Sequence, residues 1–242
     1  MLEPNYGQTF EARRRLQPKL WDADYCLLKG MSEALADFSS KFVEADKTVV
    51  DFGCGAKPYR TLFPERCRYI GVDACDNPHA EIQIVPGERV PLADSSADVI
   101  LSTQVVYLIP DFDYYLDECR RLLRPDGRLF ITTHGTWTYH PASGGDYYRF
   151  THDGLRHILK RADFEMEEIR PIVGTLGTGL HLRQLIFNAW LKRCGFGPLA
   201  ILLNVFTNLR IQLEEKITPY GTRMSSPIIY AAVARVGGKQ NE

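Results

Sequence analysis

The feature that most constrains the fold is an alternation between short β-branched runs and segments with helical spacing. The predicted strands are residues 48–52, 68–73, 97–102, 128–133, 164–173 and 227–234. Helical spacing lies between several of them, as in residues 114–123 and 151–162. Strands that alternate with helices form βαβ units, so the sequence predicts a mostly parallel sheet with helices on both faces.

The composition is that of a globular protein, with 45% hydrophobic and 24% charged residues among 242. Lysine and arginine number 29 against 30 acidic residues, which argues against general nucleic-acid binding. The chain has neither the apolar length of a transmembrane helix nor a signal-peptide pattern, so we predict a cytoplasmic protein without a transmembrane segment. Its six irregularly spaced cysteines predict neither a metal site nor a disulfide framework.

The predicted organisation is an N-terminal helical segment, residues 1–46, followed by one domain, residues 47–242. A helical insertion at about 175–226 interrupts the alternation before the last strand. Its apolar residues recur at helical spacing, as at Leu182, Ile186 and Trp190. The insertion is open to three interpretations: a lid over the substrate, core packing or a homodimer face, and a membrane-surface element.

The first predicted strand ends in a glycine turn, with Asp51 followed by Gly53 and Gly55. Glycines in such a turn let a ligand approach the backbone closely. The third glycine of the dinucleotide-binding pattern is replaced by Pro58, which disfavours a nicotinamide oxidoreductase. An acid before the turn also suits a cationic ligand better than a pyrophosphate.

A second acid, Asp73, ends the next predicted strand, 22 positions after Asp51. A carboxylate at this strand tip can accept hydrogen bonds from both hydroxyls of a ribose. The alternative is an ordinary solvated aspartate in a loop.

Four ordered stretches resemble class I S-adenosylmethionine-dependent methyltransferases of the type 11 subgroup: residues 49–55, 69–73, 90–102 and 122–129. The resemblance implies a Rossmann-like, seven-stranded sheet with an antiparallel last strand. It also implies that S-adenosylmethionine binds across the carboxyl edge of the sheet.

Carried over by position, the resemblance assigns three groups of cofactor contacts. Asp51, Gly53 and Gly55 would surround the methionine portion of the cofactor, and Gln104 would touch its end. Asp73 and Ala74 would hold the ribose. The adenine contacts stay undetermined, because the corresponding stretch is atypical.

The candidate acceptor loop, residues 134–151, combines aromatic side chains with two histidines, an aspartate and an arginine. Such a loop suits a sugar or another polar ring, and its end resembles a motif of polysaccharide and glycolipid methyltransferases. His134, at the strand tip, is the candidate for proton removal. The candidate substrate residues are Tyr139, His140, Asp146, Tyr148 and Arg149. Alternatively, Arg149 pairs with Asp146 to hold the loop, and Thr151 caps the next helix.

The sequence therefore favours methyl transfer from S-adenosylmethionine to a small-molecule acceptor, such as a sugar or glycolipid intermediate. The alternative is a catalytically inactive S-adenosylmethionine-binding protein of the same fold. A homodimer stays an open option.

Overall fold

The computed structural model describes residues 10–74, 76–140 and 145–238. The strands are β1 (Thr48–Phe52), β2 (Arg68–Ala74), β3 (Ile82–Ile84), β4 (Ala97–Thr103), β5 (Leu123–His134), β6 (Phe164–Ile172) and β7 (Ile229–Val236). The helices are α1 (Phe10–Leu16), α2 (Tyr25–Phe42), α3 (Phe112–Leu122), α4 (His152–Arg161), α5 (Thr175–Arg193), α6 (Gly197–Ile217) and α7 (Tyr220–Ser225).

The seven strands form one sheet in the order β3-β2-β1-β4-β5-β7-β6. The pairs from β3 to β5 are parallel, and β7 runs antiparallel to both β5 and β6. This confirms the predicted Rossmann-like sheet with an antiparallel last strand. The short β3 is the one strand of the sheet that the sequence patterns did not predict.

Strand β5 begins five residues earlier than predicted, at Leu123 instead of Arg128. Leu123 pairs with Ala97, and the next pair joins Arg128 to Val99. Residues 124–127 therefore form a bulge in β5, between the Leu123–Ala97 pair and the Arg128–Val99 pair. Gly127 permits the bulge, since a Cβ there would meet the backbone oxygens of Arg124 and Asp98 at 3.0 Å.

Helices cover both faces of the sheet, as predicted. Leu116 of α3 and Leu155 of α4 pack on one face with Ile100 and Ile131, and all four side chains are fully buried. Phe38 of α2 packs on the other face with strand residues such as Val49. The alternation of β-branched and aliphatic residues thus places one apolar layer on each side of the sheet.

Helices α5, α6 and α7 occupy residues 175–225, between β6 and β7. The inner faces of α5 and α6 are polar, with Gln184, Asn188, Asn204 and Asn208 buried. The apolar stripe predicted from the spacing points outward, since Ile186 is 66% and Trp190 57% exposed. No helix in the described part of the chain has the length and apolar character needed to cross a membrane.

Candidate active site

The candidate site lies at the carboxyl edge of the sheet, where the strand order reverses. From β1 the chain builds outward through β2 to β3, and from β4 it builds the other way through β5. Loops on the two sides of such a reversal diverge and leave a crevice between β1 and β4. The glycine turn after β1 and the loops after β2 and β4 all border this crevice.

The two glycines of the turn differ in their surroundings: packing requires a glycine at position 53, whereas Gly55 borders open space. Gly53 has φ +82°, and a Cβ on it would lie 2.3 Å from Cγ2 of Val105. Gly55 has φ +52°, and a Cβ on it would meet nothing within 4 Å. Backbone at Gly55 is therefore exposed on the side from which a ligand can approach.

Asp73 lies against this turn and is half-buried. Its Oδ2 accepts hydrogen bonds from the Gly55 backbone N–H (2.7 Å) and from Nδ2 of Asn77 (2.7 Å). Its Oδ1 accepts from the backbone N–H of Ala74 (2.8 Å). A carboxylate offers about four acceptor positions, so one stays available for a hydroxyl.

Asp51, at the end of β1, is buried with one oxygen unpartnered. The Tyr69 hydroxyl donates to its Oδ2 at 2.6 Å, and Oδ1 has no partner among the described residues. Burial raises the pKa of Asp51 to about 7, against the opposing effects of the Tyr69 hydrogen bond and the Lys57 charge. A buried carboxylate with a free oxygen is a site for a cationic group.

An ion pair between a buried lysine and a partly exposed glutamate supports the glycine turn. The Lys57 ammonium is almost fully buried and binds Glu81, which also accepts a 2.6 Å hydrogen bond from the Gly71 backbone N–H. Gly71 makes room for this lysine, because a Cβ there would lie 2.2 Å from Cε of Lys57. The pair fixes β2 and the segment before β3 to the glycine turn.

Gln104 follows β4 in a left-handed conformation, with φ +61°. Its backbone N–H and its Nε2 both donate to Oγ1 of Thr132, at 3.0 and 3.2 Å. These bonds fix the side chain and leave its buried Oε1 without a partner in the described part of the chain. Gln104 thus presents an acceptor at the crevice and connects β4 to β5.

A stack of aromatic rings begins at His134, the last residue of β5. The His134 and Trp137 rings are parallel within 2° at 5.2 Å, and Trp137 in turn stacks on His181 of α5 at 5.6 Å. The edge of the Tyr107 ring meets His134 at 4.7 Å. We call His134, Trp137 and His181 the ring stack.

Both histidines of the ring stack are neutral at physiological pH. Burial lowers the pKa of His134 to about 3, helped by the charges of Arg149 and His140. Burial also lowers the pKa of His181 to about 4. Nδ1 of His134 and both ring nitrogens of His181 have no hydrogen-bond partner among the described residues. The ring stack therefore offers polar nitrogens without positive charge.

Arg149 is occupied within its own loop. Its guanidinium binds both carboxylate oxygens of Asp146 and donates to the backbone oxygens of Trp137, Thr138 and Tyr148. These five bonds account for all five of its N–H donors. The structure thus agrees with the alternative that Arg149 holds the loop through Asp146.

The other predicted loop residues lie in different environments. Tyr148 is half-buried and its hydroxyl donates to the Pro110 oxygen at 2.9 Å. Tyr139 and His140 are exposed, and the His140 backbone N–H donates to Asp146. Residues 141–144 of the loop lie outside the described residues. The substrate roles of Tyr139, His140, Asp146, Tyr148 and Arg149 stay predictions.

Several site residues escaped the sequence analysis. Tyr69 lies in the second motif stretch but received no role there, Asn77 lies outside the motifs, and the fold brings the two to Asp51 and Asp73. His181 lies in the insertion, 47 positions after His134, yet the ring stack joins the two through Trp137. The aromatic density of residues 134–151 was the one available signal for Trp137.

The hydrogen-bond acceptors at the crevice fit a particular class of ligand. Asp51 and Gln104 each present a buried, unpartnered oxygen, and Asp73 keeps a free acceptor position beside the open backbone of Gly55. Oxygen acceptors in this arrangement suit a ligand with a cationic end and a ribose.

Comparisons with known proteins agree with this fit. A family model for a methyltransferase domain matches residues 27–169, more than half of the chain. Human thiol S-methyltransferase TMT1B is 31% identical over 114 residues, which are 38% of this chain and 46% of that protein. A Mycolicibacterium smegmatis protein, named a probable S-adenosylmethionine-dependent methyltransferase, is 28% identical over 139 residues, 51% of this chain and 54% of that one. The chain spans about half the length of these curated relatives.

The fold also resembles solved methyltransferase structures. One is the 1,6-didemethyltoxoflavin-N1-methyltransferase of Burkholderia thailandensis, solved with its acceptor and S-adenosylhomocysteine, at a TM-score of 0.53 and 16% identity. The match covers 86% of this chain and 79% of that one. The chain therefore belongs to the methyltransferase domain family, and its cofactor is S-adenosylmethionine.

Proposed function

We propose that this protein transfers a methyl group from S-adenosylmethionine to a small molecule with a polar ring, such as a sugar or glycolipid intermediate. The observation that supports the proposal is the ring stack, which begins at His134, two residues after the Thr132 that Gln104 binds. Nδ1 of His134 is uncharged and unpartnered, and it can accept a hydrogen bond from a hydroxyl of a polar ring.

The cofactor side of the proposal assigns one task to each acceptor group. Asp73 accepts hydrogen bonds from the ribose, beside Ala74 and the turn of Gly53 and Gly55. Asp51 and Gln104 face the cationic methionine end with their unpartnered oxygens. When bound, S-adenosylmethionine supplies a methyl group activated by its sulfonium, and the chain's task is to align the acceptor with it.

His134 has two candidate roles on the acceptor side. With a pKa of about 3, its imidazole is a weak base at neutral pH. Its unpartnered Nδ1 can still accept a hydrogen bond from an acceptor hydroxyl and so orient it. Positioning is the role that the burial of His134 favours, and proton removal stays a prediction.

A second candidate function is cofactor binding without turnover. Two observations favour it: the weak basicity of His134, and an Arg149 whose donors are all engaged inside the loop.

A weak base is also compatible with turnover on another class of acceptor. An acceptor that is already a good nucleophile, such as a thiol, would not need a strong base. Thiol methylation is the reaction named for the human relative.

The deciding experiment combines calorimetry with turnover assays. We expect S-adenosylhomocysteine to bind and NAD not to bind, since Pro58 replaces the third glycine of the dinucleotide pattern. Turnover is then measured with sugars, glycolipids and small thiols, with and without S-adenosylmethionine. Methylation of a sugar or glycolipid supports the proposal, and transfer to thiols alone replaces the proposed acceptor class. Tight binding without transfer to any acceptor supports the second candidate.

A further inference from the structure

The helical hairpin of α5 and α6 exposes a large apolar surface. The outward side chains include Trp190 at 57% and Phe206 at 64% exposure, and Ile186, Leu202, Leu209 and Leu213 are each more than half exposed. A groove between the helices is lined by apolar residues, among them Phe187, Leu191 and Leu199. We call this surface the apolar face. Contiguous apolar surface of this kind marks an interaction site.

The apolar side of the hairpin faces outward because its polar side is bound to the rest of the protein. Asn208 donates to the backbone oxygens of Leu20 and Asp22, both at 2.8 Å, and Asn204 donates to that of Trp21. These bonds hold the polar side of α6 inward, and Asn204 also donates to Asn188 of α5 at 3.1 Å. The apolar residues cannot rotate into the core without breaking these bonds, so the exposure is built into the packing.

Charge on the hairpin is mostly positive. Helices α5 and α6 contain five lysines and arginines against two acids, Glu214 and Glu215, which pair with Arg210 and Arg223, whereas the whole chain has a formal net charge of −1. Arg183 precedes Phe187 and Trp190 by four and seven positions, so the three lie along one side of α5. Lys192 and Arg193 follow at the end of that helix, and all three basic residues are exposed. Among the described residues, none of the three forms an ion pair.

We infer that the apolar face docks on an anionic membrane surface. Exposed aromatic and aliphatic residues bordered by basic side chains match the two attractions of an interfacial helix, apolar burial and attraction to anionic lipid. A second copy of the chain fits less well. A twofold interface through this face would bring like charges together, whereas anionic lipid neutralises them.

The docking surface lies on the opposite side of α5 from the ring stack. His181 is buried on the inner side of α5, against Trp137. A helix is about 10 Å in diameter, so docking brings the lipid surface within one helix of this cluster. The docking proposal does not depend on the proposed function, because it rests on the outer surface alone.

The test is sedimentation of the full-length protein with vesicles of phosphatidylcholine, with and without phosphatidylglycerol. We expect binding to the anionic vesicles, weakened by salt. Trp190→Ser with Phe206→Ser should weaken it by about tenfold or more. Arg183→Gln, Lys192→Gln and Arg193→Gln together should weaken it by about 100-fold. Substitutions of exposed residues should leave the melting temperature unchanged.

Matched controls keep the outcomes distinct. Val85→Ser removes an exposed apolar side chain elsewhere, and Arg66→Gln, Arg68→Gln and Lys160→Gln remove three exposed charges elsewhere; both variants should bind vesicles normally. Sedimentation velocity reports the oligomeric state in parallel. A dimer that Trp190→Ser and Phe206→Ser dissociate, without vesicle binding, would show a self-interface instead. A monomer that ignores vesicles also overturns the proposal, and equal binding to neutral vesicles overturns its charge preference.

Discussion

At the scale of single residues, Asp73 has the clearest expected effect. Asp73→Ala removes the acceptor for the ribose and for the Gly55 N–H, and should weaken S-adenosylhomocysteine binding by about 1–3 kcal/mol. Calorimetry measures the affinity, and a melting curve checks that the variant is folded. Asp76→Asn, at a nearby exposed acid, is the control and should bind normally. Unchanged affinity in folded Asp73→Ala would remove Asp73 from the site.

The buried carboxyl of Asp51 predicts that S-adenosylhomocysteine affinity depends on pH. Its pKa of about 7 in the free protein means that the carboxyl is largely protonated below that pH. The α-ammonium of S-adenosylhomocysteine is attracted by the ionised form, so the affinity for this ligand should rise as pH increases from about 6 to about 8, with proton release on binding. Calorimetry in buffers of different ionisation enthalpy measures both. Asp51→Asn should flatten the pH dependence; a similar slope in the variant would assign it to another group.

His134 distinguishes positioning from proton removal. His134→Gln keeps a hydrogen-bonding side chain but no basic nitrogen, and His134→Ala removes both functions. If His134 positions the acceptor, His134→Gln should retain kcat within about tenfold while His134→Ala loses more. Equal losses of about 100-fold or more in both variants would assign proton removal to His134. Cofactor affinity should stay within about 1 kcal/mol in both variants.

At the scale of elements, the α5–α6 hairpin depends on its buried amides. Asn208 is fully buried, and its Nδ2 serves two backbone oxygens of the segment before α2. Asn208→Leu would leave these oxygens unpartnered and should destabilise the protein by about 1–3 kcal/mol. Thermal or urea unfolding measures the loss. Leu209→Asn, one position along and 52% exposed, is the control and should be within about 0.5 kcal/mol of wild type.

At the scale of the whole molecule, hydrogen exchange tests whether the hairpin also acts as a lid. The Thr178 hydroxyl lies within 3.2 Å of the backbone oxygens of Val173, Gly174 and Ser226, and Gly177 packs at the start of α5 against Val173 and Ile211. Residues 174–179, the glycine-rich segment at which a lid would bend, therefore form a packed helix start. We expect high protection of residues 181–217 with and without S-adenosylhomocysteine. A large gain of protection on ligand binding would instead establish closure of a lid.

Local patterns of the sequence were sufficient to predict which edge of the sheet the candidate cofactor residues occupy. Strand β1 and the turn at Gly53 and Gly55 are adjacent in the chain, and Asp73 lies near the end of β2, the next strand and a parallel neighbour of β1. Parallel strands must present their carboxyl ends at one edge, so Asp51, Asp73 and Gln104 meet there without any further information. The alternation of strands and helices thus predicted the parallel part of the sheet, and the resemblance to the methyltransferase family predicted the antiparallel last strand.

Tertiary packing alone decided the rest, because those contacts join residues that no local pattern relates. His181 meets Trp137 across 44 positions, and Asn208 meets Leu20 across 188. The period of apolar residues in α5 predicted an apolar helical stripe, but not which side of the helix would face inward. Buried amides bound to backbone oxygens turned the polar side in, so the apolar side faces outward, where we infer that it meets lipid.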